Sequence, residues 1–318
     1  MLNLILYFIL LIMALLSIAF FTLLERKIMG YCQNRKGPNK SGIHGMFQPF
    51  SDAMKLFSKE MNIMFYMNLI LYVISPMLSI SIMLLLWMIF IFKSNAINLN
   101  LTLIFFLCLS SLSSYTVLIS GWSSNSKYSL IGSYRGVAQI ISYEVSMAML
   151  LISLCLICEG FSFKNFMIIQ ENFMIFMSFM MMMLIWLTIS LAETNRTPFD
   201  LVEGESELVS GFNIEYGSWL FALIFMAEYG MIILISMLTN YLFLGMLNLN
   251  NLVTLMIMML FIMIRSTFVR FRYDMLMMMA WKTILPVTIY FFFSMMIIYF
   301  LFSYSFCINF WNLNQSEF

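Results

Sequence analysis

The first 24 residues, Met1 to Leu24, contain no charged side chain; the first charge is Glu25. Uncharged, strongly apolar runs return at 66–92, 100–120 and 283–305. A helix needs about 20 apolar residues to cross the hydrocarbon core of a bilayer. Runs this long, repeated along a chain of 318 residues that is 63% hydrophobic and 10% charged, leave too little polar surface for a soluble globule. The chain is therefore expected to be an all-α, polytopic membrane protein in a single membrane domain.

Eight spans are expected, at about 1–24, 66–92, 100–120, 136–158, 172–192, 216–240, 250–268 and 283–305. The first reads as a retained span rather than a secretory signal, because no base precedes it and Glu25, Arg26 and Lys27 follow it. With eight spans the connections alternate between two sides. Loops one, three, five and seven (about 25–65, 121–135, 193–215 and 269–282), with the span ends beside them, hold fourteen of the sixteen Lys and Arg residues; only Lys93 and Lys164 lie on the other side. The positive-inside rule places the charged side in the cytoplasm of a bacterium or the matrix of a mitochondrion. Trp122, Trp219 and Trp281 fall near span ends on that side, where interface anchors belong.

Several chemistries are excluded early. His44 is the one histidine, which rules out paired axial haem ligands. No G-x-G-x-x-G or Walker-type loop occurs, so no nucleotide site is expected. Cys155 and Cys158 have C-x-x-C spacing but no second pair, and read as buried thiols rather than a metal site. The 34 methionines fit an organelle-encoded chain whose code reads an extra codon as Met.

Loop one carries turn-forming Gly30, Gly37, Pro38, Gly42, Gly45 and Pro49. From about Ser51 it becomes amphipathic: Ala53, Met54, Leu56, Phe57 and Met61 alternate with Asp52, Lys55, Lys59 and Glu60, as in a short helix lying on the membrane surface. Pro76 is expected to kink the second span. The strongest feature is 191–216, LAETNRTPFDLVEGESELVSGFNIEY, where Glu193, Asp200, Glu203, Glu205, Glu207 and Glu215 stand against one base, Arg196. Carboxylates this crowded repel one another. The segment is a candidate for proton handling or cation recognition, or a solvated acidic loop. Glu144 in the fourth span and Glu228 in the sixth are ionisable groups at membrane depth, which are expensive and face a bundle interior. They serve either a proton route or hydrogen bonds between helices. Glu144, Glu193, Glu215 and Glu228 together suggest a carboxylate row entering the membrane from the acidic loop. Phe221 and Phe225 share a helical face with Glu228. Loop seven carries Arg265, Arg270, Arg272, Asp274 and Lys282, and its arginines are placed to pair with the acids of loop five.

The stretches ERKIMGYCQNRKGPN, QPFSDAMKLFSKE, SYRGVAQIISYEVS, LAETNRTPFDLVEGESELVSGFNIEY and RFRYDMLM…WK…LP resemble the chain 1 family of NADH:ubiquinone oxidoreductase, respiratory complex I, over nearly the whole length. Val269 stands where that family usually has proline. The resemblance implies a membrane subunit docked under the hydrophilic arm and lining the chamber through which ubiquinone reaches an iron–sulfur cluster of a neighbour. Carried over, Arg26, Gln33, Arg35, Asp52 and Lys55 would line or brace the chamber mouth, and Phe221 and Phe225 would face it. Asp200, Glu203, Glu205 and Glu207 would connect it to Glu144, Glu193, Glu215 and Glu228. Arg196, Arg270, Arg272 and Asp274 would form structural ion pairs. The resemblance further implies the mitochondrial inner membrane, with loops one, three, five and seven in the matrix. Ubiquinone would be the substrate, FMN and iron–sulfur clusters would sit in partner subunits, and lipids and other complex I subunits would be partners. No metal, no nucleic acid and no activity of the isolated chain are expected. A stand-alone transporter would carry internal repeats, and no repeat relates the two halves. The equivalent subunit of a hydrogenase complex would not need the full motifs of loops one and five. A pure scaffold would not need Glu144 and Glu228.

Overall fold

The computed structural model describes residues 2–91, 99–172, 174–202, 204, 211–245 and 250–315, with the backbone alone at 2–4, 172 and 302–315. These residues form helices and no strands. In chain order they are α1 (Leu2–Cys32), α2 (Gln48–Ser58), α3 (Leu69–Leu86), α4 (Thr102–Ser123), α5 (Lys127–Cys158), α6 (Phe163–Asn172), α7 (Ile175–Ser178), α8 (Met180–Glu193), α9 (Ser218–Thr239), α10 (Asn250–Thr267), α11 (Tyr273–Met278) and α12 (Leu285–Gln315). A π-helical turn, Asn240–Leu244, prolongs α9, and another, Met279–Ile284, joins α11 to α12.

Among the described residues, seven helices are long and apolar enough to cross a membrane. They match seven of the eight expected spans. The expected span at 172–192 is a broken one: α7 stops at Phe179, whose φ of −125° and ψ of 45° leave the helical region, and α8 continues for 14 residues. At 1.5 Å per residue α8 alone reaches about 21 Å, short of the ~30 Å hydrocarbon core. The uniform Met-rich run gives no local sign of this break.

Loop three is the larger departure. The structure replaces the expected connector at 121–135 with three residues between α4 and α5, and Trp122, Lys127 and Arg135 sit on helices. The Ser and Gly residues of this stretch are helix-packing residues. Ser123, Ser124, Ser129 and Ser133 donate their hydroxyl protons to carbonyls three residues back, which satisfies them without water. Gly121 lets α5 approach so closely that a Cβ there would lie 2.2 Å from Ser133 Oγ.

The helices pack as two groups. In one, α5 contacts α4, α8 and α12; in the other, α9 contacts α1, α3 and α10, and α3 packs on α4 to join them. The central helices α5 and α9 are the most buried of the seven. They are also the two that carry Glu144 and Glu228. The amphipathic helix appears as α2, starting at Gln48 with Pro49 in its first turn. It rests on both α1 and α9, while Met54 and Phe57 face outward. Pro76 lies inside α3, which runs through it.

Candidate functional site: buried acids beneath loop five

Loop five is held from two sides. From α5, the fully buried Gln139 donates through Nε2 to the carbonyls of Ala192 (2.8 Å) and Phe199 (2.9 Å). From loop seven, the Phe271 N–H donates to the Pro198 carbonyl (3.0 Å), the Phe271 ring stacks on Phe199, and Arg270 Nη2 reaches Asp200 Oδ2 at 3.3 Å. Asp200 and Arg270 are both largely buried at the side chain, so this pairing contributes more than a surface pair would. Val269 points outward beside these contacts, and the loop keeps them with valine at that position.

Below the loop lies a cavity of about 90 Å³ between α3, α4, α5 and α9. Glu193 and Asn195 enter it from the end of α8, and Glu228 from α9. Ser75, Ser79, Ser113, Thr116 and Ser120 line its other walls. Glu193 Oε1 and Asn195 Oδ1 are buried with no hydrogen-bond partner among the described residues. A buried carboxylate oxygen left without a donor is costly, so such a site favours polar occupants. The volume suffices for several waters. Glu144 on α5 is within electrostatic reach of Glu193. A larger cavity, about 530 Å³, opens between α1, α9 and α10 and is lined by no acid or base. Its size is greater, but the smaller cavity has the groups that can handle protons.

Near this cavity, Tyr72 and Tyr216 stack at 4.3 Å. The Tyr216 hydroxyl exchanges hydrogen bonds with Ser75 (2.9 Å) and Ser123 (3.2 Å). Burial pushes its phenol above the ordinary value, and the two serine hydrogen bonds act the other way. The Tyr72 hydroxyl donates to the Glu215 carbonyl at 2.8 Å. This fixes the backbone of Glu215, whose residue is only half-buried.

The expected residues fall into three sets. Glu193 and Glu228 both line the cavity, with Glu144 within electrostatic reach of Glu193, while Glu215 is not among the lining residues. Arg26 and Asp52 form a 2.6 Å ion pair joining α1 to α2, with Gln48 Nε2 also donating to Asp52 at 3.0 Å. Phe221 and Phe225 lie against each other at 4.3 Å on α9, the helix on which α2 rests. Gln33 and Arg35 are exposed beyond α1, and Lys55 is exposed on α2. Glu203, Glu205 and Glu207 lie outside the described residues. Among the described residues, Arg270 is the loop-seven charge that pairs with an acid of loop five. Arg272 pairs locally with Asp274 at 3.1 Å, both largely exposed, where solvent screening leaves little stabilisation. No cluster of three potential metal ligands occurs among the described residues.

Glu25 is a site residue that sequence reasoning passed over. It follows the first apolar run directly and reads as the start of a charged loop, yet α1 continues to Cys32 and Glu25 is 4% exposed. Arg265 of α10 bonds it, and Arg196 of loop five approaches to 3.5 Å. The Arg196 guanidinium also lies 4.5 Å over the Tyr229 ring of α9. Burial by itself lowers the Arg196 pKa, but Tyr229, Glu25 and Glu228 outweigh it and hold the guanidinium above its ordinary value.

Fold and site define a class: a multi-pass, all-helical membrane protein with Glu144 and Glu228 on its two most buried helices and Glu193 at the end of α8, beneath one clamped loop. A family model described as NADH dehydrogenase matches residues 5–296. The chain is 63% identical over 311 residues to a protein of Rhipicephalus sanguineus named NADH-ubiquinone oxidoreductase chain 1, covering 98% of this chain and 99% of that one. Proteins of the same name from Aedes aegypti and Sarcophilus harrisii are each 48% identical, over 91% and 90% of this chain and 93% and 92% of theirs. The chain belongs to the NADH-ubiquinone oxidoreductase chain 1 family.

Proposed function

We propose that this chain is the core membrane subunit of a proton-pumping NADH:ubiquinone oxidoreductase in the mitochondrial inner membrane. It forms much of the ubiquinone access chamber and the start of the carboxylate path that couples quinone reduction to proton translocation. Loops one, three, five and seven face the matrix, where the positive charge is concentrated. Electrons arrive from FMN and iron–sulfur clusters held by partner subunits of the hydrophilic arm, so the isolated chain has no activity of its own. Other membrane subunits and lipids surround it.

The observation that carries this reading is the convergence of Glu193 and Glu228 on one cavity, with Glu144 within electrostatic reach of Glu193. Reduction of a quinone to a quinol takes two electrons and two protons, and the doubly reduced headgroup is anionic until protonated. Carboxylates near that charge respond by binding or releasing protons, and a coupled row passes the change onward. The hydroxyls that line the cavity with Glu193 and Glu228 keep acceptor lone pairs free for water, because their protons are given to helix carbonyls. Arg26, Gln33, Arg35, Asp52 and Lys55 belong to the chamber mouth, with Phe221 and Phe225 on its apolar wall. The Arg26–Asp52 pair braces α2 against α1 there. Asp200, held by Arg270, leads with Glu203, Glu205 and Glu207 from the chamber to the cavity, beside Glu215.

The test is photolabelling of intact membranes with a reactive quinone analogue, followed by peptide mapping and competition by excess quinone. Competable label within 25–60 or 191–228 is expected. Label confined to a neighbouring subunit would overturn the chamber assignment.

A further inference from the structure

Glu25 is buried, charged in its surroundings and outside the carboxylate row described above. It draws on two cations from different parts of the chain: Arg265 on α10, which it bonds directly, and Arg196 in loop five, 3.5 Å away. Arg196 has a second claimant. Its guanidinium rests on Tyr229, and the preceding residue on α9 is Glu228, within its electrostatic reach. Glu228 shares the cavity beneath loop five with Asn195, the neighbour of Arg196. One cation thus lies 3.5 Å from an acid of α1 and rests on the residue next to an acid of α9.

We propose that Arg196 is a counter-ion shared by Glu25 and Glu228, and that Glu25 is a positioning residue that sets, through Arg196, how firmly Glu228 is held in its charged form. The inference rests on the reading of Glu228 as part of the proton path. The physical basis is competition. An opposite charge close by favours the ionised carboxylate. The more of Arg196 that Glu25 takes, the less remains for Glu228. Arg265 moderates this by satisfying Glu25 from the far side. Among the described residues, the charged and titratable groups facing this knot include Glu25 from α1, Arg265 from α10, Glu193 from the end of α8 with Glu144 of α5 within its electrostatic reach, and Tyr229 on α9 itself.

Shared possession makes a prediction of sign. In Glu25→Gln, Arg196 is released to Glu228, which then stays charged to lower pH. The acid limb of quinone reductase activity moves to lower pH. In Arg265→Gln, Glu25 leans more heavily on Arg196 and Glu228 loses part of its counter-ion, so the limb moves to higher pH. Each shift is expected to be on the order of 1 pH unit, the lower end of what a neighbouring opposite charge produces. A merely structural role for the Glu25–Arg265 bond would depress both variants alike and leave the limb in place.

The measurement is the pH profile of NADH:ubiquinone activity in membranes carrying the whole complex. Electron transfer to a hydrophilic artificial acceptor reports assembly. In a Glu228→Gln background neither second substitution is expected to move the limb further. Wild-type quinone activity in Glu228→Gln alone would remove Glu228 from the path and overturn the underlying reading. A lowered activity there, with Glu25→Gln and Arg265→Gln shifting the limb in the same direction or not at all, would overturn this inference only. Where a neutral variant fails to assemble, Glu25→Asp or Arg265→Lys keeps the charge at altered reach, and the same opposite signs are expected at smaller size. Equal signs in that pair would also overturn the sharing.

Discussion

Gln139 offers a direct way to loosen loop five without touching a charge. Replacing it by leucine keeps a similar volume in the fully buried site on α5 but removes both Nε2–H donors. Each lost bond is between neutral groups, and such a bond contributes about 1 kcal/mol net. Two of them make ~2 kcal/mol, and the carbonyls of Ala192 and Phe199 left without donors add to that rather than subtract. Two kcal/mol corresponds to about 30-fold in an opening equilibrium. The assay is amide hydrogen exchange on the purified complex, following peptides across 190–202. The Arg196 and Phe199 amides, which donate to Leu191 and Arg196 carbonyls, report the loop directly. They are expected to exchange ~30-fold faster in Gln139→Leu. Protection in the α4–α5 hairpin is expected to stay unchanged. Exchange within threefold of wild type across 190–202 would refute the claim that Gln139 pins the loop.

Arg270→Ala leaves the largely buried Asp200 carboxylate without its described ion-pair partner and is expected to lower the thermal stability of the complex in detergent. The partial exposure of the pair keeps the cost to ~1–2 kcal/mol, below that of a fully buried pair. Gly121→Ala puts a Cβ 2.2 Å from Ser133 Oγ and 2.8 Å from the Ser129 carbonyl, so α4 and α5 must separate. Overpacking of this kind costs about 1–3 kcal/mol, and reduced assembly on native gels is the expected outcome. Arg272→Ala breaks only an exposed local pair and is expected to alter neither assembly nor quinone activity.

Much of the architecture is legible in the chain because a bilayer imposes a length on every span. The uncharged runs from Met1, Tyr66, Asn100 and Thr283 correspond to α1, α3, α4 and α12, and the alternation after Ser51 corresponds to α2. What escaped is instructive. Gly121, Ser129 and Ser133 look like a connector because small polar residues favour turns in water. In an apolar surrounding the same residues let helices touch, and the sequence does not state which solvent it meets. Glu144, Glu193 and Glu228 are conspicuous as charges among apolar neighbours, so the acids of the site stand out. The cavity does not, because its walls come from serines on α3 and α4 far apart in sequence. Glu25 was hidden by its position at the edge of a hydrophobic run. Burial there depends on α10, and nothing near Glu25 in sequence announces Arg265.

That last separation bears on how the protein is made. Glu25 emerges with the first helix, whereas Arg265 follows 240 residues later. A helix inserted into a membrane with an unmatched buried carboxylate is unfavourable. During synthesis α1 therefore keeps the end carrying Glu25 in the hydrated interface. It seats fully only once α9 and α10 have arrived, because loop closure over so long a chain must precede the contacts that reward it. A helix made long before α10 is thus expected to gain its Arg265 partner only when α10 arrives, and Arg265 ties the two together.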